Sequence, residues 1–109
     1  MLSGSRWEEN FRVAMLQRKR IFEQQVPFFG GWHRGGTVVD FLDTTPGLPR
    51  PTAIFVDGPR HNRLAKTGKT LEDMLKRARL EKIGIDVKVI EDEAESVEGC
   101  LKWIREELG

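Results

Sequence analysis

One cysteine and two histidines in 109 residues leave little soft-ligand chemistry in this chain. Cys100 alone cannot close an internal disulfide, and Cys100, His33 and His61 together fall short of a four-ligand structural zinc site, so no zinc is expected. Cys100 falls in the apolar stripe of the last predicted helix, where it reads as core filler rather than nucleophile. Long apolar runs are also missing. None approaches the ~20 residues that span a bilayer, and no basic-then-apolar opening marks the chain for export. The expectation is a cytoplasmic protein with no membrane partner. A nucleotide cofactor is not expected either: Thr67-Gly68-Lys69-Thr70 has the ending of a phosphate-binding loop, but the glycine required five residues before Gly68 is Arg63.

What is present suits one modest core. At 39% hydrophobic and 32% charged, residues 1–109 are expected to form a single domain. The net charge of +1 hides a division. Residues 50–82 carry nine basic against four acidic residues, and residues 83–109 carry three against eight. A basic block fits a polyanionic substrate, and an ordinary solvated helix face carries the same pattern.

Periodicity predicts a first helix from about Ser5 to Arg18, with Trp7, Phe11, Ala14, Met15 and Arg18 on one face and Ser5–Glu8 as a capping box. A strand follows over Ile21 to Phe29, ending near Pro27, and Gly30 to Gly36 is a hairpin loop that carries His33 and Arg34. Thr37 to Leu42 is apolar at almost every position and reads as a strand buried on both faces. Asp43 to Arg50 is a connecting loop. The third strand is Thr52 to Asp57, closed by Gly58-Pro59. A second helix is predicted over Leu71 to Lys82, with Leu71, Met74, Leu75, Ala78 and Leu80 inward. Ile85 to Ile90 is the fourth strand, Val87 and Val89 setting its buried face. The last helix buries Val97, Cys100, Leu101, Ile104 and Leu108. The order α-β-β-β-α-β-α predicts an α/β fold, a central mixed sheet with helices on both faces.

Two of these strands carry carboxylates, Asp40 and Asp57. Desolvating a carboxylate in an apolar strand costs several kcal/mol unless a partner receives it. A divalent metal is one such partner. For Asp40, backbone amides at a bulge are another.

Gly35, Gly36, Val38, Val39, Asp40 and Phe41, followed by Ile54, Val56, Asp57, Gly58 and His61, resemble the PD-(D/E)xK nuclease superfamily. Within it they look like the very-short-patch repair endonucleases and their small relatives. The resemblance implies a restriction-endonuclease-like core and a Mg²⁺-dependent DNA endonuclease, with Mn²⁺ as substitute. It implies metal ligation by Asp40, the Val56 carbonyl and Asp57, with His61 or Glu8 handling the proton. Gln25 matches a glutamine that family members carry in the first strand. Glu8 is placed at the metal site, with Glu9 as its register alternative. Arg34, Arg60, Arg63, Lys66 and Lys69 are expected on the DNA backbone. Nicking is expected from a monomer, and double-strand cutting would need a homodimer. Many relatives have a glutamate where this chain has Phe55, which leaves a second reading: a nucleic-acid-binding or scaffold module that keeps the fold without cleavage.

Overall fold

Thr37–Asp43 is apolar at most positions and runs through the interior of the sheet, with the other elements packed to either side of it. The computed structural model describes residues 3–31, 33, 35–57 and 70–109, with backbone alone for 3–5 and 70–73. In chain order the elements are α1 (Ser3–Gln17), β1 (Phe22–Phe28), β2 (Thr37–Asp43), β3 (Thr52–Val56), α2 (Thr70–Lys82), β4 (Asp86–Ile90), a 3-10 turn (Asp92–Glu95) and α3 (Val97–Glu107). The described residues thus form a small α/β domain. Its sheet runs β1-β2-β3-β4, antiparallel between the first three strands and parallel between β3 and β4. This is the expected element order and a mixed sheet.

The sheet separates two apolar clusters. On one side Phe11, Ala14 and Met15 of α1 meet Phe41, Ile54, Val56 and Ile90 of the sheet and Cys100, Trp103, Ile104 and Leu108 of the α3 segment. Aromatic rings tie this side together, Phe11 lying 4.9 Å from Phe41 and 5.6 Å from Trp103, and Phe22 5.7 Å from Phe41. Such ring contacts, edge-on for Phe11 and tilted for Phe22, add to the burial energy of each ring. On the other side Val39, Leu42, Ala53 and Val87 pack with Leu80 of α2 and Ile85. Cys100 is fully buried and its thiol is pushed up to about 12, chiefly by burial, as expected of a core filler.

Several elements depart from expectation. The first helix begins at Ser3, so Ser5 lies inside it and is not an N-cap. Met74 and Leu75, expected inward, are 60% and 58% exposed, and Ala78 is exposed as well. Arginines attach α2 instead. Arg79 lies 4.0 Å above the Phe29 ring and donates to the Gly35 carbonyl at 2.7 Å, while Arg77 donates to the Val87 carbonyl. In β4 the buried residues are Val87 and Ile90, and Val89 is 39% exposed. Trp103, absent from the expected core, is buried. Gly99 permits the 3-10 turn to sit on α3: a Cβ there would lie 2.2 Å from the Glu93 carbonyl oxygen.

Asp43 is the largest correction. It is the last residue of β2 rather than the start of a loop, and its side chain is fully buried. Its Oδ2 accepts from Arg20 Nε at 3.0 Å and Nη2 at 2.8 Å, and its Oδ1 accepts from the Thr45 amide at 2.9 Å and from the Thr45 hydroxyl. Removing one partner of a buried pair leaves an uncompensated charge. Arg20→Met should therefore destabilise the fold by about 3 kcal/mol or more, and Arg20→Met/Asp43→Leu by much less. Chemical denaturation of both variants checks this, and equal losses would mean that the pair is not coupled.

Candidate functional site

β1 and β2 exchange faces midway along their length. Phe22 and Phe41 pack on the α1 side, whereas Val26, Phe28 and Val39 pack on the α2 side, although Phe22, Val26 and Phe28 are all even and Phe41 and Val39 both odd. Period-2 alternation must therefore break once in each strand. The break falls between the pairs Gln24↔Phe41 and Val26↔Val39, where Gln25 stands opposite Asp40. Gln25 has φ 53, a left-handed conformation unusual for a side-chain-bearing residue. An edge strand tolerates this kink, as it tolerates Pro27, because among the described residues only one side of β1 is paired.

The kink draws polar groups from four elements together. Asp40 Oδ2 accepts the Val56 amide at 2.9 Å, just beyond Phe41↔Ile54, the last pair of the β2–β3 ladder. The carboxylate thus stands in for the next main-chain acceptor. In the β3–β4 ladder the Asp57 amide donates to the Ile90 carbonyl at 2.9 Å. Alternation then turns the Val56 carbonyl, like its amide, toward β2 and Asp40. From β1, Gln25 Nε2 donates to Glu8 Oε1 of α1 at 3.3 Å. Glu8 is half-buried, and its carboxyl is raised above the usual range, first by burial and second by the negative charge of Asp40.

Glu8, Gln25, Asp40 and Val56 are therefore brought together, with Asp57 one residue beyond β3. Glu9, the register alternative to Glu8, instead pairs with Arg12 on the exposed face of α1. Phe55 is half-buried against the α2-side cluster. Arg34, Arg60, His61, Arg63, Lys66 and Lys69 lie outside the described residues. No family model, curated protein or solved structure matches the chain.

Among the described residues no cluster of three His, Cys, Asp or Glu side chains could hold a metal ion. The donor set here is two carboxylates, Glu8 and Asp40, with the Val56 carbonyl alongside. All are hard oxygen ligands of the kind Mg²⁺ takes, and Mg²⁺ commonly completes its shell with water and substrate oxygens.

Sequence reasoning also missed a cleft of about 440 Å³ between the end of α1 and α3, lined by Gln17, Arg18, Glu98, Leu101, Lys102 and Arg105. The spacing of Lys102 and Arg105 along one helix was its only signal.

The upward shift of Glu8 has a stability consequence. Its protonated form is favoured by folding, so that contribution is present below the ordinary carboxyl value of 4.5 and is lost as pH rises through the higher folded value. At neutral pH the ionised Glu8 destabilises the fold. Glu8→Gln keeps an oxygen for Gln25 and removes the charge, so it should raise the melting temperature near neutral pH. The gain should vanish near pH 4. A variant no more stable than the parent at neutral pH would show that neither burial nor Asp40 opposes the Glu8 charge.

Proposed function

We propose that the chain is a divalent-metal-dependent DNA endonuclease with a restriction-endonuclease-like core, similar to the very-short-patch repair endonucleases. The observation that carries the reading is the convergence of Glu8, Gln25, Asp40 and Val56 from α1, β1, β2 and β3, with the Glu8 carboxyl raised beside Asp40. Titratable groups pushed apart from their usual range in this way cluster at functional sites. Asp40 would hold Mg²⁺ together with the Val56 carbonyl, Asp57 lies next to them in sequence, and Glu8 would face the ion through water. The ion, when bound, supplies Lewis-acid polarisation of a phosphodiester.

The protein's own groups do the rest. A carboxyl with a raised pKa holds or releases a proton nearer neutrality than an ordinary glutamate, which suits Glu8 to proton transfer at the scissile phosphate. Gln25 fixes the direction of the Glu8 carboxyl. His61 is the other proposed proton carrier, and Arg34, Arg60, Arg63, Lys66 and Lys69 are proposed to hold the DNA backbone through charge.

One observation favours the second reading, a nucleic-acid-binding or scaffold module without cleavage. Asp40 already serves the fold by accepting the Val56 amide, and Phe55 puts no carboxylate on β3. The two readings separate on metal binding. Calorimetric titration with Mn²⁺ should give saturable binding, weakened at least about tenfold in Glu8→Gln and in Asp40→Asn. The same variants should lose nicking of supercoiled plasmid. Absence of Mn²⁺ binding in the folded parent, with DNA binding retained, would establish the module instead.

A further inference from the structure

β4 is an outer strand, and among the described residues nothing pairs with its far side. The Asp86 amide donates to the Pro51 carbonyl at 3.0 Å and the Ile90 carbonyl accepts from the Asp57 amide, so the even-numbered residues turn their main chain toward β3. Alternation turns that of Ile85, Val87 and Val89 outward. Of these groups, the Ile85 amide is taken by the Leu80 carbonyl and the Val87 carbonyl accepts from Arg77 Nη2, both at 3.1 Å. The Val87 amide and both main-chain groups of Val89 make no hydrogen bond in the described structure. Apolar side chains accompany this open edge. Val89 is 39% exposed, and Met74, one turn before Arg77 on the same face of α2, is 60% exposed.

An edge of free main-chain groups with exposed apolar side chains is a template for another strand. We propose that β4 pairs antiparallel with β4 of a second copy of this chain, about a two-fold axis through Val87. Self-complementarity selects both the occupant and the register. With Val87 opposite Val87, Asp86 of each copy faces Lys88 of the other, and Val89 of each faces Ile85 of the other. Opposite charges and apolar pairs directly across an antiparallel ladder are favourable, and each occurs twice. Shifting the axis to Lys88 sets lysine against lysine, which is unfavourable. The Val87 amides and carbonyls of the two copies exchange hydrogen bonds, and each Val89 amide reaches the Ile85 carbonyl opposite. Arg77 need not leave, since a carbonyl oxygen has two lone pairs. The present partners of these charges, Arg50 for Asp86 at 3.7 Å and Glu107 for Lys88 at 3.2 Å, form exposed pairs that contribute little and can be shared. The pairing is isologous and closed, so it stops at a dimer with one continuous sheet. It does not depend on the catalytic reading.

Sedimentation velocity across a wide concentration range tests this on the full chain. The parent should pass from monomer to dimer as concentration rises. Lys88→Asp places like charges opposite each other twice and should weaken dimerisation about tenfold or more. The exchanged variant Asp86→Lys/Lys88→Asp should restore it. Circular dichroism and melting of each variant verify that the fold is kept. A parent that stays monomeric throughout, a Lys88→Asp variant that dimerises as the parent does, or a folded exchange variant that fails to restore the dimer would each overturn the proposal.

Discussion

The bond from the Val56 amide to the Asp40 carboxylate is the interaction on which the centre of this fold depends. At Asp40 the main chain of β2 stops pairing with β3, and a side-chain oxygen takes over the acceptor's place. That substitution lets β1 and β2 exchange faces at Gln25 and Asp40 while β3 continues with regular alternation. Without it, a buried amide at the end of β3 would be left unsatisfied, at a cost of about 1–3 kcal/mol. The exchange in turn lets one strand pair serve both cores. Phe22 and Phe41 pack beneath α1, and Val26, Phe28 and Val39 pack toward α2.

The order of elements was legible because each long element carries its own periodicity. Phe11, Ala14 and Met15 on α1, and Cys100, Ile104 and Leu108 near the chain's end, repeat at helical spacing and are buried as read. The fourth strand and second helix were legible as elements but not as faces. α2 contributes Leu80 to the core while Met74 and Leu75 stay exposed, because Arg77 and Arg79 make its contacts through a carbonyl oxygen and an aromatic face. Hydropathy patterns count arginine as solvated and cannot anticipate this. Asp43 was misread for a related reason. Its partner Arg20 lies far away in sequence, and a buried ion pair leaves no periodic trace.

The candidate site was partly legible. Asp40 stood out because a carboxylate interrupts an apolar strand, and of the two partners offered for it, a backbone amide is present in Val56, while the divalent metal belongs to the proposed function. The left-handed φ of Gln25 was not legible. Glutamine has no special preference for that region, so only the side-chain faces of two paired strands reveal the break.

This double duty decides where a functional argument can rest. A variant of Asp40 removes an acceptor for a main-chain amide as well as a charge, so loss of activity there mixes folding with chemistry. Glu8 is different. Phe11, Ala14 and Met15 already anchor α1 to the sheet with fully buried apolar surface, and the bond from Gln25 to Glu8 is long and exposed at 3.3 Å. A half-buried carboxylate pushed upward by burial, and second by Asp40, opposes folding at neutral pH instead of supporting it. Packing of the fold therefore does not require an ionised Glu8, which is why the proposed function assigns it a cation or a proton. Carboxyls shifted in this way occur in structural networks as well as at functional sites, where they are most common. On physical grounds Glu8, more than Asp40, is the residue whose chemistry separates an enzyme from a module that merely keeps the shape.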